Sequence, residues 1–301
     1  MIVYTVTFNP ALDYVINVKK LSTNDINRAE SEKLYYGGKG INVSAVLSQL
    51  GVPTVAMGFK GGFTGNELVR LMNEDGISSD FVELSDGCTR INVKLRSEKE
   101  LDINADGPKI CESDLNRLFD KLKNLADGDF LVLAGSTPSS LSKDIYSIIM
   151  GKLQGKNIKI AVDTSGEALR NVLKYKPFLI KPNHHELGEI FGEEMHDTKT
   201  VIEYGKKLQD MGAQSVLVSR GEKGAVLITE TGEIYITGAV KGKLVNSVGC
   251  GDSMVAGFLA GYIQSKNFEY ALKLSVAASA ATAFSSELGK KDEIEQIFNN
   301  I

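Results

Sequence analysis

The sequence has few of the residues on which disulfide scaffolds, zinc centres and histidine chemistry depend. Its 301 residues include three cysteines and three histidines. Cys88, Cys111 and Cys250 are odd in number, far apart and form no C-x-x-C pair, which argues against a disulfide framework or a zinc–thiolate site. His184 and His185 are adjacent and have no third ligand nearby, so we interpret them as loop residues whose side chains point apart.

Long apolar runs and an excess of positive charge are also missing. No stretch approaches the 18 or so apolar residues of a membrane span, and the opening MIVYTVTFNPALD lacks the regions of a signal peptide. We therefore expect a cytoplasmic protein. Lys and Arg number 34 against 38 Asp and Glu, a net charge of −4, so we expect no nucleic-acid partner.

The motifs of several common enzyme classes are absent. The chain has no G-x-x-x-x-G-K-[ST] P-loop and no G-x-G-x-x-G after its first strand, which argues against a P-loop enzyme and a dehydrogenase. It also lacks the H-R-D and D-F-G of protein kinases and the G-x-S-x-G of α/β-hydrolases. The composition is that of a globular protein, with 43% hydrophobic and 24% charged residues.

Strand and helix patterns alternate along most of the chain. Continuous apolar runs at 130–135 and 158–163 predict strands covered on both faces. Amphipathic stretches at 113–125 and 199–211 predict helices, the first capped by Ser113. This order predicts an α/β fold with a mostly parallel sheet and helices on both faces. Long helices at about 252–264 and 269–285 are expected to close the chain.

Two stretches break this alternation. The segments 13–21 with 31–36, and 89–105, alternate polar and apolar residues without an intervening helix. We interpret them as an antiparallel patch outside the main sheet, able to act as a lid. The predicted division is a large α/β domain of 1–11, 37–87 and 106–301 and a β-sheet lid of 12–36 and 88–105.

The segment NSVGCGDSMVAGF (246–258) carries the strongest chemical signal. Its glycines allow a close approach to an anion, and the N–H groups at a helix start can bind that anion. Asp252 would lie in the first turn, where the helix dipole favours a carboxylate. A carboxylate beside an anion site suits proton removal from an attacking hydroxyl. The residues alone leave open that Asp252 merely caps the helix.

Three further polar segments adjoin predicted strands or helices. GGKGIN (37–42) suits sugar or phosphate recognition, or is a tight turn with a solvated lysine. KPNHHE (181–186) places Asn183 and Glu186 three residues apart, where they could share a helix face and hold hydrated Mg²⁺. SRGEKGA (219–225) is a Gly-rich turn at the ligand-binding edge of the predicted sheet, or a plain hairpin connection.

Taken together with NPALD (9–13) and VDTSGEAL (162–169), these segments resemble the phosphofructokinase B family of ribokinase-like sugar kinases. The resemblance runs nearly end to end. It implies a ribokinase-like α/β domain with a β-sheet lid, ATP and Mg²⁺ as cofactors, and a homodimer joined through the lid. Activation by a monovalent cation occurs in some relatives and is left open here.

The resemblance also implies a reaction and the residues that perform it. TRINVK (89–94) and NPALD look most like members that convert fructose 1-phosphate to fructose 1,6-bisphosphate; tagatose 6-phosphate, fructose 6-phosphate and a non-catalytic sugar-phosphate sensor are the alternatives. Asp252 resembles the catalytic base, with the backbone N–H groups of Gly249, Cys250 and Gly251 as the anion hole. The implied sugar-phosphate ligands are Asp13, Arg28, Gly38, Lys39, Asn42, Arg90 and Ser136. The implied ATP ligands are Lys181, Ser219, Gly221 and Gly224, and Asn183 and Glu186 would bind Mg²⁺ through water.

Overall fold

The computed structural model describes residues 1–22, 24–98 and 100–301; Thr23 and Lys99, both inside the predicted lid ranges, lie outside the described residues. In chain order the strands are β1 (Val3–Thr7), β2 (Ala11–Asn17), β3 (Ser31–Gly37), β4 (Thr54–Lys60), β5 (Val82–Glu83), β6 (Arg90–Arg96), β7 (Leu101–Ile103), β8 (Phe130–Ala134), β9 (Lys159–Asp163), β10 (Leu179–Ile180), β11 (Ser215–Ser219), β12 (Ala225–Ile228) and β13 (Ile234–Thr237). The α-helices are α1 (Lys39–Gln49), α2 (Gly62–Glu74), α3 (Glu112–Lys123), α4 (Ile145–Lys152), α5 (Gly166–Leu173), α6 (His184–Phe191), α7 (Thr198–Asp210), α8 (Cys250–Ser265), α9 (Phe268–Phe284) and α10 (Lys291–Phe298).

The larger sheet has nine strands in the order β13-β12-β11-β10-β9-β8-β1-β4-β5. Strands β11 through β5 in that order are parallel, and the hairpin β12–β13 is antiparallel, so the predicted mostly parallel sheet is confirmed. Successive residues of β8 pack into two different cores, Leu131 and Leu133 on one face and Phe130 and Val132 on the other. This explains its continuous apolar run, because helices cover both faces of the sheet.

The smaller sheet, which we call the lid sheet, has the order β3-β2-β6-β7. It occupies the two stretches that break the helix–strand alternation. The expectation that it is antiparallel is wrong for its central pair, since β2 and β6 run parallel while β2–β3 and β6–β7 are antiparallel. β2 follows β1 of the large sheet and β6 follows β5, so each enters the lid sheet separately and in the same direction. The proposed domain division stays a prediction.

Three local expectations are wrong. Ser113 lies inside α3, and Cys111 takes the N-cap position. The two histidines of KPNHHE begin α6 rather than a loop, and their ring centroids lie 3.9 Å apart. The long helix α9 does not close the chain, because the eight-residue α10 follows it and buries Ile294. Within the described residues, no helix has both the length and the apolarity needed to cross a membrane.

Candidate active site

A cleft of about 1530 Å³ lies between the carboxyl ends of the central strands and the lid sheet. In the large sheet β1 has β4, the next strand of that sheet along the chain, on one side, and β8 followed by β9 on its other side. Such a reversal of strand order leaves a crevice at the carboxyl edge of an α/β sheet. The residues after β1, Gly135 and Ser136 after β8, and Asp163 at the end of β9 line this crevice.

The N-terminus of α8 lies at the cleft, where Gly249, Gly251 and Asp252 are among the lining residues. Gly249, the N-cap residue, has a φ of 82°, and a Cβ there would lie 2.6 Å from Leu288 Cδ2. In the described part of the chain no side chain caps this helix. The N–H groups of the first turn have no acceptor within the helix, so those of Cys250 and Gly251 are available to an anion.

Asp252 is buried in the first turn of α8, with 5% of the residue exposed. The Asn42 side-chain amide donates a hydrogen bond to its Oδ2 at 2.8 Å. Burial raises the pKa of Asp252 to about 7, and the nearby charge of Asp163 adds to the increase, against the opposing effects of Lys39, Asn42 and Lys181. A carboxyl group with a pKa near neutrality can both accept and return a proton at physiological pH.

Asp163, which lines the cleft, forms ion pairs with two lysines from separate segments. Its Oδ2 lies 3.2 Å from Lys39 Nζ in α1, and its Oδ1 lies 3.2 Å from Lys181 Nζ after β10. Burial by itself would raise the pKa of Asp163, but the two lysines outweigh it and hold the pKa below its ordinary value. Burial likewise opposes a charged Lys39, yet Asp163 and Asp252 raise its pKa. Asp163 and Lys39 are therefore both charged at neutral pH.

Sequence reasoning did not assign Asp163 a role. The available signal was an acidic residue at the end of a largely buried strand, because burying a charge is costly unless the charge is paired. Lys39 of GGKGIN is paired with Asp163, and its side chain is 47% exposed. Sugar or phosphate recognition by this segment stays a prediction.

The GGKGIN segment connects the two sides of the cleft. Gly38 has a φ of 132°, and a Cβ there would lie 2.7 Å from Thr7 Cγ2, so only glycine fits this close approach. A Cβ on Gly37 would lie 3.0 Å from the Asp13 carboxylate. One helical turn later, Asn42 contacts Asp252. A single short segment thus borders the carboxylates of both Asp13 and Asp252.

Arg90 lines the cleft but is engaged with the backbone. Its terminal nitrogens donate to the carbonyls of Ala105 at 2.9 Å and Asn9 at 3.0 Å, which lie on the two connections between the sheets. Its buried Nε has no partner among the described atoms. Burial lowers the pKa of Arg90. Two of its five N–H donors thus hold the connections between the lid sheet and the large sheet.

Several residues implied by the resemblance lie away from the cleft wall. Arg28 is exposed in the β2–β3 connection and does not line the cleft. Ser219, Gly221 and Gly224 lie in the turn after β11, further along the same sheet edge, outside the cleft lining. A Cβ on Gly224 would lie 2.0 Å from the Thr237 carbonyl oxygen, so this glycine is required by hairpin packing.

Asn183 and Glu186 form a capping box at the start of α6. Asn183 Oδ1 accepts from the Glu186 N–H at 2.8 Å, and Glu186 Oε2 accepts from the Asn183 N–H at 2.7 Å. Glu186 lines the cleft and keeps its second carboxylate oxygen for other contacts. Among the described residues there is no group of three or more acidic, histidine or cysteine side chains able to enclose a metal ion.

Comparison with known proteins identifies the family. Residues 6–294 match the pfkB family of carbohydrate kinases. The chain belongs to that family. This pfkB kinase is 44% identical to the 1-phosphofructokinase of Bacillus subtilis (strain 168) over 99% of this chain and 98% of that protein. It is 35% identical to the D-tagatose-1-phosphate kinase of Bacillus licheniformis, over 99% and 98% of the two chains.

A solved structure has the same architecture. Phosphofructokinase-2 of Escherichia coli, in complex with substrates and products, matches the pfkB kinase with a TM-score of 0.93 and 26% identity. The match covers 100% of this chain and 99% of that one. The predicted ribokinase-like fold and family membership are therefore confirmed.

Proposed function

We propose that this pfkB kinase transfers a phosphoryl group from ATP to a hydroxyl of a sugar phosphate, with fructose 1-phosphate as the preferred substrate and fructose 1,6-bisphosphate as the product. The observation that carries the proposal is the buried Asp252 at the N-terminus of α8, hydrogen-bonded to Asn42 and bordered by two lysines. The identity to 1-phosphofructokinase of B. subtilis supports the choice of sugar phosphate.

The chain's own residues divide the reaction between them. Asp252 accepts the proton of the attacking hydroxyl, and Asn42 orients the carboxylate for that step. The N–H groups at the start of α8 and the ammonium groups of Lys39 and Lys181 stabilise negative charge on the group in transfer. Gly38 leaves the backbone open to the sugar, and Asp13 and Ser136 provide hydrogen-bonding groups along the same cleft.

The proposed ATP ligands follow one another along the carboxyl edge of the sheet after β10 and β11: Lys181, Ser219, Gly221 and Gly224. Glu186 fits a hydrated Mg²⁺, because it lines the cleft, one of its carboxylate oxygens lies outside the capping box, and this ion commonly keeps its waters. Asn183 would act by holding Glu186. When bound, the ion would offset the charge of the phosphates.

The lid sheet is proposed to cover the substrate and to join two copies of the chain. Its outward face carries Ile91, Leu101 and Ile103, which are 39%, 45% and 55% exposed. Burial of this apolar face by the same face of a second chain would form a two-fold dimer. Sedimentation velocity should therefore give a dimer, which Ile103→Glu dissociates; a wild-type monomer at micromolar concentration would contradict it.

The substrate proposal is tested by ADP release from ATP and Mg²⁺ with five acceptors in parallel: fructose 1-phosphate, tagatose 1-phosphate, tagatose 6-phosphate, fructose 6-phosphate and fructose. We expect the highest kcat/KM with fructose 1-phosphate, because pocket shape and phosphate position together select the isomer. Fructose is the control for the phosphate requirement. A clear preference for another sugar phosphate would leave the proposed mechanism in place and change only the proposed substrate. ATP binding without turnover of any acceptor would support the sensor alternative.

A further inference from the structure

The wall of the cleft formed by the lid sheet presents alternate residues of β6. Arg90 and Lys94 line the cleft, and Asn92 lies between them on the same face, because residues two apart in a strand point the same way. β2 runs parallel to β6 with Asp13 paired in register with Asn92. The carboxylate of Asp13 therefore lies among polar side chains of the neighbouring strand.

Two of these side chains hold the carboxylate of Asp13. Asn92 Nδ2 donates to Oδ1 at 2.8 Å, and Lys94 Nζ lies 2.8 Å from Oδ2. The side chains of Asp13 and Lys94 are only 17% and 13% exposed, so solvent ions screen the pair weakly. Each carboxylate oxygen can still accept a further hydrogen bond. Asp13 is thus fixed in position and remains able to bind sugar hydroxyls.

An unpaired carboxylate at this place would oppose the substrate proposed above. A sugar phosphate carries about two negative charges near neutral pH, and like charges repel most strongly where water is excluded. Lys94 balances the charge of Asp13 and keeps two of its three ammonium donors for other partners. Arg90 is a second cation near Asp13, but the hydrogen bonds of its terminal nitrogens go to the carbonyls of Asn9 and Ala105 rather than to that carboxylate.

We propose that Lys94 is a positioning and specificity-determining residue of the sugar-phosphate site. It fixes the carboxylate of Asp13 for the sugar and neutralises it, so that the cleft accepts a phosphorylated sugar. The inference rests on the proposed function, since it requires a sugar phosphate as the acceptor. The signal in the sequence is the polar alternation Arg90, Asn92, Lys94 in a strand with apolar residues between them.

The test compares Lys94→Met, which keeps most of the length of the side chain and removes its charge, with the wild type. We expect the KM for fructose 1-phosphate to rise at least about tenfold, as for other charge pairs that lose one partner. We expect kcat and the KM for ATP to stay within about threefold of the wild-type values, because neither constant measures the binding of the sugar phosphate beside Asp13. Lys94→Arg should restore part of the affinity because it restores the charge.

A matched control is Lys60→Met. Lys60 is similarly enclosed, at 19% exposed, and pairs with Glu83, but it lies outside the cleft lining. All three kinetic constants should stay within about twofold of the wild type, as expected for a residue that does not contact substrate. This control separates the loss of a half-buried lysine from the loss of Lys94.

A double-mutant cycle tests the link to Asp13 directly. In an Asp13→Asn background, Lys94→Met should add little further loss, because no carboxylate charge remains to be balanced. An unchanged KM in Lys94→Met, or an equal rise in the KM for ATP, would overturn the inference. If Lys94→Met does not fold by circular dichroism, Lys94→Gln takes its place. A folded wild type that turns over no sugar phosphate would overturn the proposed function and, with it, this inference.

Discussion

Asp252→Asn is expected to lower kcat by about 10²- to 10⁴-fold, the range for loss of a general base. Asparagine has the size and shape of aspartate, so the packing at the start of α8 should persist. What is lost is the ability to take the proton of the attacking hydroxyl. The measurement is ADP release at saturating ATP and fructose 1-phosphate, with the thermal midpoint of unfolding recorded for each variant.

The same carboxyl group should set the pH dependence of the wild type. Because its pKa lies at about 7 in the protein without ligands, kcat/KM should fall as the pH drops below 7 and the group becomes protonated. The control for the Asp252→Asn variant is Asp292→Asn, since Asp292 is an exposed aspartate in the first turn of another helix, α10. A folded Asp252→Asn enzyme with near-normal kcat would exclude the assigned role.

Asp163→Asn is expected to lower the free energy of unfolding by about 2–3 kcal/mol. This is below the usual 3–5 kcal/mol for breaking a buried ion pair, because the side chain of Lys39 is 47% exposed. The substitution leaves Lys39 and Lys181 close together without their shared counterion. Since the pKa of Asp163 is lowered in the folded state, its stabilisation is present at neutral pH and is lost as the pH falls.

Urea denaturation at pH 7 and at pH 3 measures both parts of this expectation. The difference in unfolding free energy between wild type and Asp163→Asn should shrink at the lower pH. Asp80→Asn is the control, because Asp80 forms an exposed ion pair with Lys121, and such pairs contribute at most about 1 kcal/mol. Equal stability of wild type and Asp163→Asn at pH 7 would show that the ion pairs of Asp163 do not support the fold.

Much of the large sheet was predictable because its strands are buried on both faces. A continuous apolar run such as β8 has few other interpretations when helical patterns flank it. The direction of β2 relative to β6 was not predictable in the same way. Alternation of polar and apolar residues indicates a half-buried strand, but the two strands are far apart in sequence and their relative direction is set by where each leaves the large sheet.

The candidate site was predictable where glycine patterns mark a close backbone approach. The motifs containing Gly38 and Gly249 led directly to Asn42 and Asp252, which the structure places in contact. Asp163 and Lys94 were not assigned, because their importance lies in ion pairs between segments distant in sequence. Arg28 differs, since only the family resemblance assigned it to the sugar phosphate and the structure leaves it exposed outside the cleft lining, so its role stays a prediction.

The most direct test of phosphoryl transfer by this cleft follows the γ-phosphoryl group itself. Wild type and Asp252→Asn are each mixed with Mg²⁺, fructose 1-phosphate and ATP labelled at the γ-position, and the labelled products are separated. We expect the wild type to place the label in fructose 1,6-bisphosphate and Asp252→Asn to leave it on ATP over the same time. Label in inorganic phosphate alone, or equal bisphosphate formation by both proteins, would contradict transfer with Asp252 as the base.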